Sequence, residues 1–235
     1  MVIYMVDIYA YQTFRVVYEV ASAILCLILV RFMIRPYLVT GESRYIGLPL
    51  GFGFLGATYA LSAFVYFQPT FFGSGTIYFQ LVMRTFAFVF LCVTYYFSNT
   101  TGGSRKLWNT TLALLIITFL VLFLIVIIPD VALPSYQFAS TFTRFFNIIC
   151  IAYLCVHTLR SHLKKPDPET LWTPLGYFLL GISQYSLIIY AIDNSMSAWW
   201  GALAIRWASL FMFLFVSYKS FYNMKKGGLN EKNRA

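Results

Sequence analysis

Seven stretches of about twenty mostly apolar residues follow one another along the chain, and that succession limits the fold more than any other feature. They cover roughly residues 11–34, 46–67, 77–97, 107–128, 138–159, 171–192 and 198–218. A helix needs about 20 apolar residues to cross the hydrocarbon core of a bilayer, where every peptide N–H and C=O must find its partner inside the protein. The runs are continuously apolar rather than alternating, which excludes a transmembrane β-barrel. Hydrophobic residues make up 60% of the chain and charged residues 11%, against soluble norms of about 45–50% and about 25%. No polar skin can be built from that stock. A soluble enzyme, a disordered chain and a disulfide-stapled secreted domain are therefore excluded. The expected fold is an all-α integral membrane protein with seven transmembrane helices, one domain over residues 1–218 and a short basic tail over 219–235.

The connections are short and carry turn chemistry: Pro36 with Gly41, Pro69 with Gly73 and Gly75, Gly102 with Gly103, Pro129 with Pro134, and Pro166 with Pro168. Thirteen of the 17 Lys and Arg residues lie at the odd connections and in the tail. They are Arg31, Arg35 and Arg44, then Arg105 and Lys106, then Arg160, Lys164 and Lys165, then Lys219, Lys225, Lys226, Lys232 and Arg234. The even connections hold none, and Asp130 and Asp193 lie there instead, with Asp7 in the N-terminal segment. Basic residues collect on the cytoplasmic side, so the N-terminus is expected outside and the tail in the cytoplasm of a multi-pass cell-membrane protein. No basic segment precedes the first span, so no cleavable signal pattern is seen. The +9 balance then reads as a threading code that meets anionic headgroups, with no nucleic-acid partner implied.

The other four basic residues, Arg15, Arg84, Arg144 and Arg206, sit near the outer ends of the odd-numbered spans. Aligning the first span on the fifth by these arginines (144 − 15 = 129) pairs Ala23 with Ala152, Leu25 with Leu154, Cys26 with Cys155 and Arg31 with Arg160. The second and sixth spans pair Pro49-Leu50-Gly51-Phe52 with Pro174-Leu175-Gly176-Tyr177 (174 − 49 = 125), together with Gly56 and Gly181. The third and seventh pair Arg84 with Arg206 (206 − 84 = 122). The pattern predicts a parallel 3+1+3 repeat: one triplet over about 11–97, a linker helix over about 107–128, and a second triplet over about 138–218. Its axis would lie along the membrane normal.

This plan resembles that of the SWEET sugar transporters and PQ-loop proteins, and more loosely that of microbial rhodopsins. The resemblance implies a site between two triplets. The Pro-Gln signature is absent, since Gln68-Pro69 has the reverse order. A retinal Schiff base would need a lysine in the middle of the last helix, and residues 202–217 hold none. The stretch 45–56 also resembles that of small uncharacterised archaeal seven-helix membrane proteins, which implies no activity.

Ionisable residues inside spans mark function by default. If the odd helices share a cavity, the four arginines would line an outward-facing, anion-attracting vestibule. Glu19, four residues after Arg15, faces the same side and is expected to pair with it. Snorkelling to headgroups or pairing with the outer acids is the structural alternative. Gln184 with Tyr185 is the midplane candidate for a ligand contact. The candidate ligand set is thus Arg15, Glu19, Arg84, Arg144, Arg206, Gln184 and Tyr185. The glycines at 47, 51, 53, 56, 176 and 181 are read as close-packing positions. Cys26, Cys92, Cys150 and Cys155 fall inside spans, without a CxxC pair, and His157 and His162 have no partner at metal-ligand spacing. The sequons at Asn99 and Asn109 fall at the cytoplasmic face, where glycosylation is not expected. No nucleophile–base set, metal or cofactor motif appears. The expectation is a non-enzymatic small-ligand sensor, transducer or accessory module, which would need a membrane or cytoplasmic protein partner for its output. A small-solute facilitator with its site between the triplets, or a structural subunit of a membrane complex, are the alternatives.

Overall fold

The computed structural model describes residues 2–41, 43–68, 75–98, 105–127, 134–164, 166 and 171–232. Pro69, Gly73, Asn99, Gly102, Gly103, Pro129, Asp130 and Pro168 lie outside the described residues, as do the side chains of Asp7, Arg44, Arg105 and the tail beyond 220. Among the described residues the chain is entirely helical: α1 (Val2–Met33), α2 (Arg35–Thr40), a 3-10 turn (Ser43–Ile46), α3 (Gly47–Phe67), α4 (Gly75–Ser98), α5 (Arg105–Ile127), α6 (Tyr136–Lys164), α7 (Trp172–Asp193) and α8 (Met196–Lys232). Seven of these segments are long and apolar enough to span a membrane. The first runs from Gln12 to Leu38 through α1 and α2, and Pro36 sits at the start of α2, where a missing N–H costs nothing. Gly41 ends α2 at φ +65°, a left-handed backbone that favours glycine. Its N–H donates to the Tyr37 carbonyl at 2.8 Å.

Six helices form a closed ring. α1 packs on α3, α3 on α4, α4 on α6, α6 on α7, α7 on α8, and α8 returns to α1. α5 stands outside it, along the α3–α4 edge, where Phe119 meets Phe54, Phe79 and Phe86 and Trp108 meets Phe97. Two glycines let α3 approach α4 closely. A Cβ on Gly47 would lie 1.8 Å from Thr94 Oγ1, and one on Gly51 would lie 2.6 Å from Leu91 Cγ. The packing role read from the sequence is thus met at these positions.

The ring is filled. One apolar cluster takes residues from all six helices: Cys26 and Leu29, Phe52 and Leu55, Ala87 and Leu91, Ile151 and Leu154, Tyr177 and Leu180, Leu210 and Phe213. Phe213 lies with its ring centroid 5.3 Å from that of Phe52 and 4.7 Å from that of Tyr177. These residues occupy the half of the bundle nearer the C-terminus. α3 and α7 present their buried faces in the same register: the six buried residues of α7, namely Pro174, Gly176, Tyr177, Leu180, Ser183 and Gln184, fall at a spacing of 125 on buried residues of α3. Along α1 and α6 the burial of Glu19, Ser22, Cys26 and Leu29 matches Arg144, Asn147, Ile151 and Leu154 at that same spacing (144 − 19 = 125). The arginine-based alignment of these two helices is one helical turn away from the register of their buried faces.

Candidate functional site

The half of the ring nearer the N-terminus is polar inside. Arg206 enters from α8 and Glu19 from α1, both buried, and Arg206 Nη2 donates to Glu19 Oε1 at 3.0 Å. A buried pair of this kind survives only with good geometry, because the desolvation of both ions must be offset. Glu19 therefore pairs with Arg206, 187 positions away, and not with Arg15 as the i, i+4 spacing suggests. The α1–α8 seam explains this. Tyr18 donates to the Leu203 carbonyl, and Trp207 Nε1 donates to Ser22 Oγ at 3.0 Å. Those two contacts share one register (203 − 18 = 207 − 22 = 185) and set Glu19 level with the turn that carries Arg206.

Arg15 is held elsewhere. Its guanidinium lies 3.6 Å from the Tyr66 ring centroid and donates to the Tyr66 hydroxyl. Gln12 fixes the same α3 terminus by donating to the Tyr66 carbonyl at 2.6 Å. Tyr59 stands between two charges: Arg206 is 4.4 Å from its ring centroid and Arg84 is 5.7 Å. Such contacts stabilise a cation without a formal anion. Arg144, 9% exposed, donates to the Leu187 carbonyl. It lies eight residues into α6 and Arg84 nine residues into α4, or about 12–13 Å at 1.5 Å per residue. Arg144 and Arg84 thus lie within one residue of the same depth, because α6 begins at Tyr136 rather than at 138.

Gln184 points inward at 1% exposure, and its neighbour Tyr185 points outward at 58%. Of the candidate ligand set, five residues gather at one end of the ring, Gln184 lines the same interior one turn deeper than Leu187, and Tyr185 takes no part. Sequence reasoning passed over Tyr18 and Tyr66, which meet Arg206 and Arg15, and Ser140, which is buried one turn from Arg144 on its own face. Their signal was spacing: Ser140, Arg144 and Asn147 stand at i, i+4 and i+7, one helical face. No group of His, Cys, Asp and Glu able to hold a metal occurs among the described residues.

No protein-family model matches the chain, and neither the curated proteins nor the solved structures contain a match to it.

Proposed function

We propose that the chain is a non-catalytic sensor or transducer in the cell membrane, with its N-terminus outside and its basic face in the cytoplasm. Its ligand is small and meets the arginine cluster from the outer side. The observation that carries this reading is the vertical division of the ring: Arg15, Arg84, Arg144, Arg206 and Glu19 occupy one half, and the other half is filled by side chains from every ring helix. A solute would be admitted and then stopped. Arg31, Arg160 and Lys164 at the opposite face suit anionic headgroups or a protein partner.

The parallel repeat belongs to the same reading. It is supported by the cyclic order of the ring, in which each triplet contributes a consecutive arc, and by the common spacing of 125 in the buried faces of α3 and α7. The facilitator reading draws on the same two arcs. The two are separated by reconstituting the full chain in proteoliposomes and measuring uptake of labelled carboxylates, phosphate, sugars and amino acids. A sensor gives no flux above protein-free vesicles. It does give ligand-dependent tryptophan fluorescence, because Trp199 lies 5.4 Å from Arg15 and Trp207 stacks on Tyr18. Saturable uptake of any solute would replace this reading with transport.

A further inference from the structure

The two seams that join the arcs differ in charge. At the α1–α8 seam, Glu19 answers Arg206 at 3.0 Å. At the α4–α6 seam there is no acid among the described residues. Cys92 Sγ donates to the Cys150 carbonyl at 3.3 Å and Tyr78 donates to the Pro134 carbonyl at 2.7 Å. These contacts set the two parallel helices in a register of 56–58 residues (134 − 78 and 150 − 92). That register puts Arg84 beside positions 140–142 of α6, within a turn of Arg144, and the charge of Arg84 acts on Arg144. Two like charges on a low-dielectric wall repel, and among the described residues one is met by the Tyr59 ring and the other by a carbonyl.

The same place holds buried polar atoms with no hydrogen-bond partner among the described residues: Arg84 Nε, Arg144 Nε, Ser140 Oγ and Asn147 Oδ1. Ser140 and Asn147 are 2% and 1% exposed and lie one turn to either side of Arg144 on its own face. An amide offers two donors as well as an acceptor. Two guanidinium forks, a hydroxyl and an amide thus lie within about two turns of one another along this seam, a donor-rich set that suits a group with several acceptor oxygens.

We propose that Arg84 and Arg144, flanked by Ser140 and Asn147, bind a small oxyanion: a free carboxylate or phosphate, or the phosphate of a lipid headgroup. This deepens the sensor reading and rests on it for the side of entry. The bound anion does for this seam what Glu19 does for the other.

The test uses the full chain in an uncharged maltoside detergent. Sodium phosphate and sodium acetate are titrated against sodium chloride at matched ionic strength, following the thermal midpoint and tryptophan fluorescence. A parallel arm uses zwitterionic vesicles with and without phosphatidylglycerol. Saturable stabilisation by a free oxyanion is expected, at least tenfold weaker in Arg84→Gln and Arg144→Gln and unchanged in Tyr185→Ser. Stabilisation by phosphatidylglycerol alone, lost in the same two variants, supports the site with a headgroup as its source. No response in either arm, or an equal response in Arg84→Gln and Arg144→Gln, overturns the site. Asn147→Asp supplies a fixed carboxylate. Its midpoint without added anion is expected to rise and its oxyanion response to vanish; a lower midpoint with the response intact overturns the proposal. Oxyanion binding without any effect on a partner or on the tail leaves the site standing and removes the sensor reading. A response to a neutral ligand that Arg84→Gln leaves unchanged does the reverse.

Discussion

The α1–α8 and α4–α6 seams perform the same task, closing a six-helix ring, by different electrostatic means. One neutralises its arginine with a carboxylate from the facing helix. The other brings two arginines together with an amide and a hydroxyl where an acid would stand. Inside a membrane an uncompensated charge is too costly to be incidental. The difference teaches that these arginines are not one class: Arg206 meets a carboxylate and Arg15 a tyrosine hydroxyl, while Arg84 and Arg144 share a seam with no acid among the described residues, although an Nε is left unbonded in all four.

The sharpest way to break the comparison is to strip the compensated seam. Glu19→Gln leaves Arg206 buried without its anion, which should cost about 3–5 kcal/mol in thermal or denaturant unfolding of the detergent-solubilised protein. Glu19→Leu combined with Arg206→Met should recover most of that loss, because an apolar pair of similar volume is often neutral or better. If the single variant unfolds like the wild type, the two seams are alike and the contrast falls. The wall between the seams is tested next. Gly51→Ala puts a methyl 2.6 Å from Leu91 and should cost about 1–3 kcal/mol through overpacking. Gly201→Ala, where nothing lies within 4 Å, should be neutral or gain up to about 1 kcal/mol from helix propensity. Trp207→Phe removes the indole bond to Ser22, of the kind that averages about 0.6 kcal/mol in membranes, and trims the ring stacked on Tyr18, so the loss should be about 1 kcal/mol. Tyr185→Ser, on the outer surface, should stay within about 0.5 kcal/mol of wild type.

Much of the fold was legible in the sequence. The apolar runs located every spanning helix, and four arginines and Glu19 stood out because charge is scarce there. The partner of Glu19 was not legible. Local spacing offered Arg15, and only the closure of α8 against α1 brings Arg206 within reach. The direction of Tyr185 was hidden for another reason. α7 is apolar on all sides, so polarity does not tell its inner face from its outer one, and adjacent residues diverge by about 100° around a helix. The α1–α6 register misled because arginines, being long, reach across a turn and need not occupy equivalent backbone positions.

α8 continues past its apolar span, which ends at Ser220. It runs unbroken from Met196 to Lys232, so Arg206 sits on a rod whose far end is 26 residues away, or about 39 Å at 1.5 Å per residue. A rigid tilt of about 5° around the Glu19 contact displaces that end by roughly 3 Å. The salt bridge is in this sense a fulcrum, and the helix beyond it a long arm on which a small adjustment near one end becomes a displacement of several ångströms at the other.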